Sequence, residues 1–321
     1  MPQPKSPEAR SETIWFDGDQ VAWEDARVHV LSHALHYGSS IFEGIRCYKG
    51  DKGGAVFRLR EHIERFFFSA RVLRMDMDKL YTQEQLERAC VTTIEQNGLE
   101  ECYIRPLAFR GAGAMGVLPK DCPTHVSIAV WPWGAYLGAD GLRNGIDVAV
   151  SSYNKFAPNT FFALAKIGGA YVMGSLAKIE AVRHGYAEGI LLDTEGRVAE
   201  GTGENIFAVL DGRLITPPLG HSVLGGITRK SLMIMAKEDG IEVVEQTMSR
   251  EMLYMAEELF FTGTAAEVTP IRSVDGIPVG KGGAGPITLA LQDRFFAAVR
   301  GQDPRHADWL TPVSPAVVAA E

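Results

Sequence analysis

The chain has 321 residues, 46% of them hydrophobic and 22% charged, with a formal net charge of −8. That length supports one large domain or two ordinary ones, and an acidic chain without a long basic run argues against nucleic acid or an anionic membrane as a partner. No apolar run reaches the roughly 18 residues of a membrane span, and the polar start "MPQPKSPEARSE" has no apolar signal core, so a cytoplasmic setting is expected. Cys47, Cys90, Cys102 and Cys122 are scattered without C-x-x-C or zinc spacing and read as reduced thiols.

Residues 1–11 carry little amphipathic pattern and are expected to be flexible. "IWFDGDQVAW" predicts two strand pieces around a glycine turn, and "AVFRL" (55–59) a short strand. Ile63, Phe66, Phe67, Ala70 and Leu73 then recur at helical spacing, with Arg65 off that stripe. A second helix, about Thr82 to Asn97, is stopped by Gly98. "CYIRPLAF" and "THVSIAVWPW" are strand-like. These elements predict a small α+β domain over 1–132, followed by a glycine-rich linker at 133–143.

The second half opens on the strand "GIDVAVSSY". A loop then leads into "NTFFALAKIGGAYVMGSLAK" (159–178) and a helix over about Gly169 to His184. "EGILLDTEGRVAE" and "NIFAVLDGRLITP" predict hairpins, the latter turning at Asp211-Gly212. "GGITRKSLMIMAKEDG" predicts a helix, "EVVEQTM" a strand, and "REMLYMA" a helix with Ser249 as its cap. "ELFFTGTA" is an apolar strand and "PITLALQDRFFAAVRG" the last helix. Short strands with irregularly inserted helices predict an α+β class rather than alternating βαβ units. The larger domain is expected over 144–310, with a flexible tail at 311–321.

Four features can carry chemistry. Lys166 stands among Ala163, Ala165, Gly168 and Gly169. Read alone it is a lysine snorkelling from a helix start, or a desolvated amine able to form a Schiff base. Tyr171 follows it closely, and Lys178 reads as a surface lysine. Glu200 in "AEGTGENIF" is either a turn carboxylate or a counter-ion for a cofactor's ring nitrogen. "GGITRKS" (225–231) opens a helix with glycines, which is an ordinary start or an anion site. "FFTGTAAEVTP" (260–270) ends a strand in small residues, which form a tight turn or let backbone N–H groups approach a ligand.

Two further patterns point elsewhere. "GAGAMG" (111–116) matches G-x-G-x-x-G, but the prolines of "VLPKDCPTH" oppose the helix a dinucleotide site needs. His29, His33 and His36 fall on one helical face without a nearby acidic or cysteine cluster, so no metal is expected.

Taken together the chain resembles the fold-type IV, pyridoxal-phosphate-dependent aminotransferases, and among them the bacterial branched-chain-amino-acid aminotransferases. The resemblance runs from about Trp15 to Trp309. It rests on "HALHYGSSIFEGIRCY", "EHIERF", "YIRPL", "WPWGAYLG", "APNT…ALAKIGGAY", "AEGTGENIF", "GGITR" and "TGTAAEVTP". It implies a small α/β domain plus a larger domain with a mostly antiparallel, barrel-like sheet and surrounding helices.

The resemblance also implies pyridoxal 5'-phosphate as cofactor. Lys166 is then the Schiff-base lysine and proton shuttle. Arg65, Gly226, Ile227, Thr228 and Thr264 hold the phosphate, Glu200 pairs with the ring nitrogen, and Tyr171 bonds the phenolic oxygen. Tyr37, Phe42, Gly44, Trp133 and Tyr136 resemble pocket walls. Tyr103 and Arg105 match carboxylate-binding positions, and the backbone of Thr264, Ala265 and Ala266 matches the place of the α-carboxylate. Gly116 and Val117 resemble a loop that reaches a partner subunit's pocket, which implies at least a dimer.

The implied reaction is ping-pong transamination between Leu, Ile or Val and 2-oxoglutarate, giving branched 2-oxo acids and glutamate. A D-amino-acid or (R)-amine transaminase, or an aminodeoxychorismate lyase, is the alternative on the same fold. The bulk of Phe161 and Phe162 before the lysine departs from the pattern.

Overall fold

The computed structural model describes residues 11–134 and 137–314. The chain divides into two compact units. The first gathers the chain up to Trp133, the Ala165–Gly169 segment and the chain from Ala297 onward; the second holds Gly134–Leu164 and Ala170–Phe296. The segment carrying Lys166, expected within the larger domain, thus packs with the first unit. Ile167 bridges to Ile41, and Ala165 and Ile167 join the apolar core of Ile41, Phe66 and Ile104.

In the first unit an eight-stranded sheet runs in the order Leu310–Pro312, Gly53–Phe57, Ile45–Gly50, Cys102–Arg110, Thr124–Trp131, Thr13–Phe16, Asp19–Ala22, with Ser40–Phe42 also on Cys102–Arg110. All its pairings are antiparallel. Two helices cover it. Leu59–Val72 buries Ile63, Phe66, Phe67 and Ala70 of the predicted stripe together with Leu59, while Leu73 caps the helix and is half-buried. Gln83–Gln96 starts on a full capping box between Thr82 and Gln85, and Gly98 follows it at φ +62°.

The predicted strand 55–59 stops at Phe57, because Arg58 takes a left-handed conformation (φ 52°) and Leu59 already begins the helix. Leu310–Pro312, expected in part as loose tail, pairs with Gly53–Phe57, and Val313 is buried. The last residues, 315–321, lie outside the described part, as do residues 1–10.

In the second unit nine strands form a mostly antiparallel sheet. The path is Val198–Gly201, Glu188–Leu192, Ile146–Asn154, Glu267–Val274, Glu258–Gly263, Asn205–Leu210, Arg213–Thr216, Val243–Glu245, with Ile277–Pro278 on Glu267–Val274. The ends of the path are tied together: Arg197 bridges Ser249, and the Val198 N–H donates to the Met248 carbonyl at 2.8 Å. This curls the sheet back on itself around Ile206, Ile215, Phe261 and Ile271. The Asp211-Gly212 turn has both residues at positive φ (50° and 69°), as a type I′ hairpin requires.

Part of the expected linker is a short helix, Ala139–Asn144. Ser249 does precede the Arg250–Met255 helix, but its side chain makes no cap bond to the backbone; its hydroxyl bonds Glu251 instead. All four cysteines are buried thiols, with Cys47 and Cys102 opposite each other on neighbouring strands. Among the described residues no helix is long and apolar enough to cross a membrane.

Candidate active site

In the first unit Lys166 is fixed by its backbone. Its N–H donates to Ser69 Oγ at 2.9 Å, and its carbonyl accepts from the Phe42 N–H at 3.1 Å. Its Nζ lies 4.7 Å from the centre of the Phe42 ring, a distance at which an ammonium is attracted to the ring face. Gly168 is favoured by close approach rather than by φ, whereas the space beside Gly169 allows ordinary contact. A Cβ at Gly168 would meet Ser40 Oγ at 2.3 Å, and one at Gly169 would meet the Gly38 carbonyl at 3.4 Å.

The Leu59–Val72 helix supplies the neighbouring polar groups. Ser69 donates to the Arg65 carbonyl one turn earlier (2.9 Å). Arg65 Nε and Nη2 donate to the two oxygens of Glu43 at 2.7 and 2.8 Å. His62 Nδ1 also reaches Glu43, at 2.8 Å. Glu43 is fully buried. Burial alone would raise its carboxyl, but the charge and hydrogen bonds of Arg65, with the hydrogen bond from His62, hold it well below the usual carboxylate range. Burial pushes His62 down, against Glu43 and with help from the charges of Arg65 and Lys166.

An aromatic box stands on adjacent strands of the same unit. The Arg105 guanidinium lies 4.8 Å from the Phe42 ring, 5.2 Å from Tyr103 and 5.8 Å from Trp131. Arg105 Nη2 donates to the Tyr103 hydroxyl at 3.4 Å, while its buried Nε has no hydrogen-bond partner among the described residues. Tyr103 sits between Trp131 and Trp133, 5.2 Å from each. A Cβ at Gly44 would stand 1.9 Å from the Tyr103 hydroxyl oxygen. With its ring boxed in, the phenol cannot simply swing aside. Gly44→Ala is therefore expected to cost about 1–3 kcal/mol by overpacking. Urea denaturation checks this, and an unchanged midpoint would show that the strand yields freely.

Tyr37 is half exposed, 4.5 Å from the His33 ring. His33 Nε2 holds the Gly116 carbonyl at 2.9 Å, so it anchors the 111–118 loop, on which Val117 is 86% exposed. Bends and a turn follow "GAGAMG" in place of the helix a dinucleotide site needs. His29 and His36 bond the local backbone at Leu31 and Val30. Tyr136 lies outside the described residues.

In the second unit Glu200 lies near the end of the Val198–Gly201 strand and is buried. One oxygen accepts from Lys155 Nζ at 2.6 Å; the other accepts from the Leu224 N–H at 2.9 Å and Asn205 Nδ2 at 3.3 Å. Three donors use three of about four acceptor sites on a carboxylate. Asn205 faces Thr262 across the sheet and also donates to the Leu224 carbonyl at 2.9 Å.

Asn205 touches the glycine-opened helix as well, since a Cβ at Gly226 would fall 1.9 Å from Asn205 Oδ1. Ile227 and Thr228 form the first turn of that helix, Ile227–Glu238, and both are buried. The turn at Thr264, Ala265 and Ala266 follows the Glu258–Gly263 strand and is secured by Thr269 Oγ1 donating to the Ala266 carbonyl at 2.6 Å. Glu200, Asn205, Gly226 and the end of the Glu258–Gly263 strand thus form one neighbourhood.

Tyr171 begins the Tyr171–Arg183 helix. That helix presses on the loop after Glu200, because a Cβ at Gly174 would meet the Thr202 carbonyl at 2.3 Å. Lys178 on the same helix is not the plain surface lysine expected: it pairs with the fully buried Glu188 at 2.7 Å. Phe161 packs on Phe156 at 5.2 Å, and both Phe161 and Phe162 remain exposed rather than lying beneath other side chains.

Glu188 also accepts from Thr202 Oγ1 at 2.6 Å, and Glu204 lies close by, bonded by the Gly203 N–H at 3.0 Å. Burial, then the charge of Glu188, push the Glu204 carboxyl up from 4.5 to about 8. The folded chain therefore holds a proton that the unfolded chain releases. Its stability contribution is full below the unfolded value and falls as pH climbs towards the folded one. Glu204→Gln imitates the protonated acid. The loss of melting temperature between about pH 6 and about pH 8.5 is expected to be smaller in this variant than in the parent; parallel pH profiles would refute the protonated assignment.

Arg65, Lys166, Glu200, Thr228 and Thr264 were legible in sequence. Glu43, His62, Ser69, Lys155 and Asn205 were not, although Glu43 interrupts an apolar run and His62 lies one helical turn before Arg65.

The sequence pattern of the Amino-transferase class IV family matches residues 40–274. The chain is 53% identical over 306 residues to the branched-chain-amino-acid aminotransferase of Salmonella typhimurium, covering 95% of this chain and 98% of that one. It superposes on the crystal structure of the Escherichia coli branched-chain amino acid aminotransferase with a TM-score of 0.93 and 52% identity, over 95% of this chain and 100% of the other. The branched-chain amino acid aminotransferase from Thermobaculum terrenum, solved in its PLP-form, gives a TM-score of 0.88 and 32% identity, over 95% and 99% of the two chains. A match over this much of the chain, at this identity, leaves one conclusion: the chain belongs to the class IV aminotransferase family.

Proposed function

We propose that this protein is a pyridoxal-phosphate-dependent branched-chain-amino-acid aminotransferase, exchanging the amino group of Leu, Ile or Val with 2-oxoglutarate. The near-full-length likeness to the Salmonella enzyme carries the reading. The donor set fits the cofactor. A lysine amine suits its aldehyde, a guanidinium and a glycine-opened helix start suit its phosphate, and a buried carboxylate suits its ring nitrogen. Bound, the cofactor supplies an electron sink for charge leaving the substrate's α carbon.

Each residue has a task in this reading. Lys166 Nζ tethers the cofactor, then takes and returns the proton at the substrate α carbon. Arg65, Gly226, Ile227, Thr228 and Thr264 hold the phosphate, Glu200 faces the ring nitrogen, and Tyr171 the phenolic oxygen. Arg105 Nε, without a hydrogen-bond partner among the described residues, suits a substrate carboxylate, with Tyr103 beside it. Tyr37, Phe42, Gly44, Trp133 and Tyr136 shape an apolar pocket, and the amides of Thr264, Ala265 and Ala266 receive the α-carboxylate.

Val28, Val30, Leu31, Leu35, Val117 and Leu118 are exposed on segments joined by the His33–Gly116 bond. Apolar exposure of this kind supports assembly into at least a dimer, with Val117 serving the partner's pocket. A cytoplasmic location agrees with the four free, buried thiols.

Transamination of 2-oxoglutarate by L-leucine, D-alanine and an (R)-amine tests the reading. L-Leucine is expected to be the substrate, and turnover with D-alanine or the (R)-amine alone would overturn it. Light scattering of the eluted protein tests the assembly, which a monomer would refute.

A further inference from the structure

We propose that Glu43, with His62 as its second donor, is a buried clamp that presets the Arg65 guanidinium, and that this fixed orientation supplies much of the chain's preference for a phosphorylated over an unphosphorylated pyridoxal. The inference rests on the reading of Arg65 as a phosphate ligand.

Glu43 sits where a charge is costly. Its side chain is fully buried, and its backbone N–H donates to the Pro106 carbonyl at 2.8 Å. A carboxylate survives there only if its oxygens are filled. Oε1 accepts from Arg65 Nε at 2.7 Å. Oε2 accepts from Arg65 Nη2 at 2.8 Å, His62 Nδ1 at 2.8 Å and, more weakly, the Gly44 N–H at 3.3 Å. The two bonds to Arg65 form a planar fork. A fork fixes the plane of a guanidinium, and therefore the direction of its remaining edge, which a single bond would not do.

His62 completes the device without adding charge. Its burial and the neighbouring Arg65 and Lys166 charges disfavour the protonated ring, so Nδ1–H serves as a neutral donor that pins the carboxylate. The spacing is built into one helix. His62, Arg65 and Ser69 lie three and four residues apart on Leu59–Val72, which puts them on one face. Ser69 then links the Arg65 carbonyl to the Lys166 N–H. Arginine and lysine thus hang on one hydrogen-bonded series that begins at Glu43.

An arginine ordered in advance binds an anion without losing its rotamer freedom at that moment, and releasing one such side chain weakens binding by about tenfold. In Glu43→Gln the amide offers one acceptor and turns its NH2 against the other guanidinium N–H, so the fork cannot form.

The test is a spectroscopic titration of the full-length, cofactor-stripped chain with pyridoxal 5'-phosphate and, separately, with pyridoxal. The readout is the ratio of the two affinities. Arg65→Gln is expected to collapse that ratio, and Glu43→Gln to lower it by about tenfold while pyridoxal affinity stays near the parent value. Glu43→Asp keeps the charge but shortens the reach, so it decides the matter should Glu43→Gln not fold; it too is expected to lower the ratio. His62→Asn retains a donor near the Nδ1 position and is expected to preserve it. A ratio collapsed by Arg65→Gln yet unmoved by the Glu43 variants overturns the clamp and leaves the proposed function standing. Equal loss of both affinities in the Glu43 variants overturns it too, by showing a merely structural role. A ratio unmoved by Arg65→Gln overturns the phosphate reading itself, and the clamp with it.

Discussion

Lys166→Ala is expected to lower transamination turnover by at least ~10³-fold, because one amine provides both the covalent attachment and the proton transfer at the substrate α carbon. The fold is expected to survive. The backbone bonds from Lys166 to Ser69 and Phe42 do not involve the side chain, and the core contacts of this segment come from Ala165 and Ile167. Turnover with L-leucine, read beside the melting temperature, checks the expectation. A variant that melts like the parent and keeps turnover within tenfold would remove Lys166 from the chemistry.

Glu200→Gln is expected to cost on the order of 10²–10³ in turnover, the usual loss when a charge aimed at the reacting system is removed. The substitution keeps the shape of the side chain and an acceptor for the Leu224 N–H. It leaves Lys155, whose side chain is only 13% exposed, without its counter-charge, so a loss of stability should accompany the loss of rate. Rate and stability can be separated with Lys155→Met. That variant removes the buried ammonium but leaves Glu200 with its Leu224 and Asn205 donors. It should retain much more activity than Glu200→Gln; equal losses in the two variants would make the ion pair, rather than the carboxylate, the important element.

The two substitutions expose different kinds of information in the chain. Lys166 stands out locally, as a lysine among small and apolar residues. Glu200 stands out because a carboxylate precedes a Gly-x-Gly turn. Neither pattern says who the partners are. Lys155 lies 45 residues before Glu200, and only the pairing of strands in the second sheet brings them together. Likewise periodicity only sets Arg65 off the apolar stripe of its helix, and its phosphate role is what the family resemblance implies, while its fork to Glu43 spans 22 residues and depends on how the helix lies against the sheet.

By itself the sequence determined the α+β class, most strands and helices, the Asp211-Gly212 hairpin and the types of residue able to handle an aldehyde, a phosphate and a ring nitrogen. Periodicity and turn chemistry are local properties, and residues a few positions apart are enough to specify them. The tertiary structure decided that the Lys166 segment packs in the first unit, that Leu310–Pro312 completes a sheet, that Lys178 serves a buried carboxylate, and that "NTFFALAKIGGAYVMGSLAK" keeps its phenylalanines exposed. Those outcomes depend on register and close approach between distant segments. There the cost of burying a charge without a partner selects one arrangement among many that the local pattern would allow.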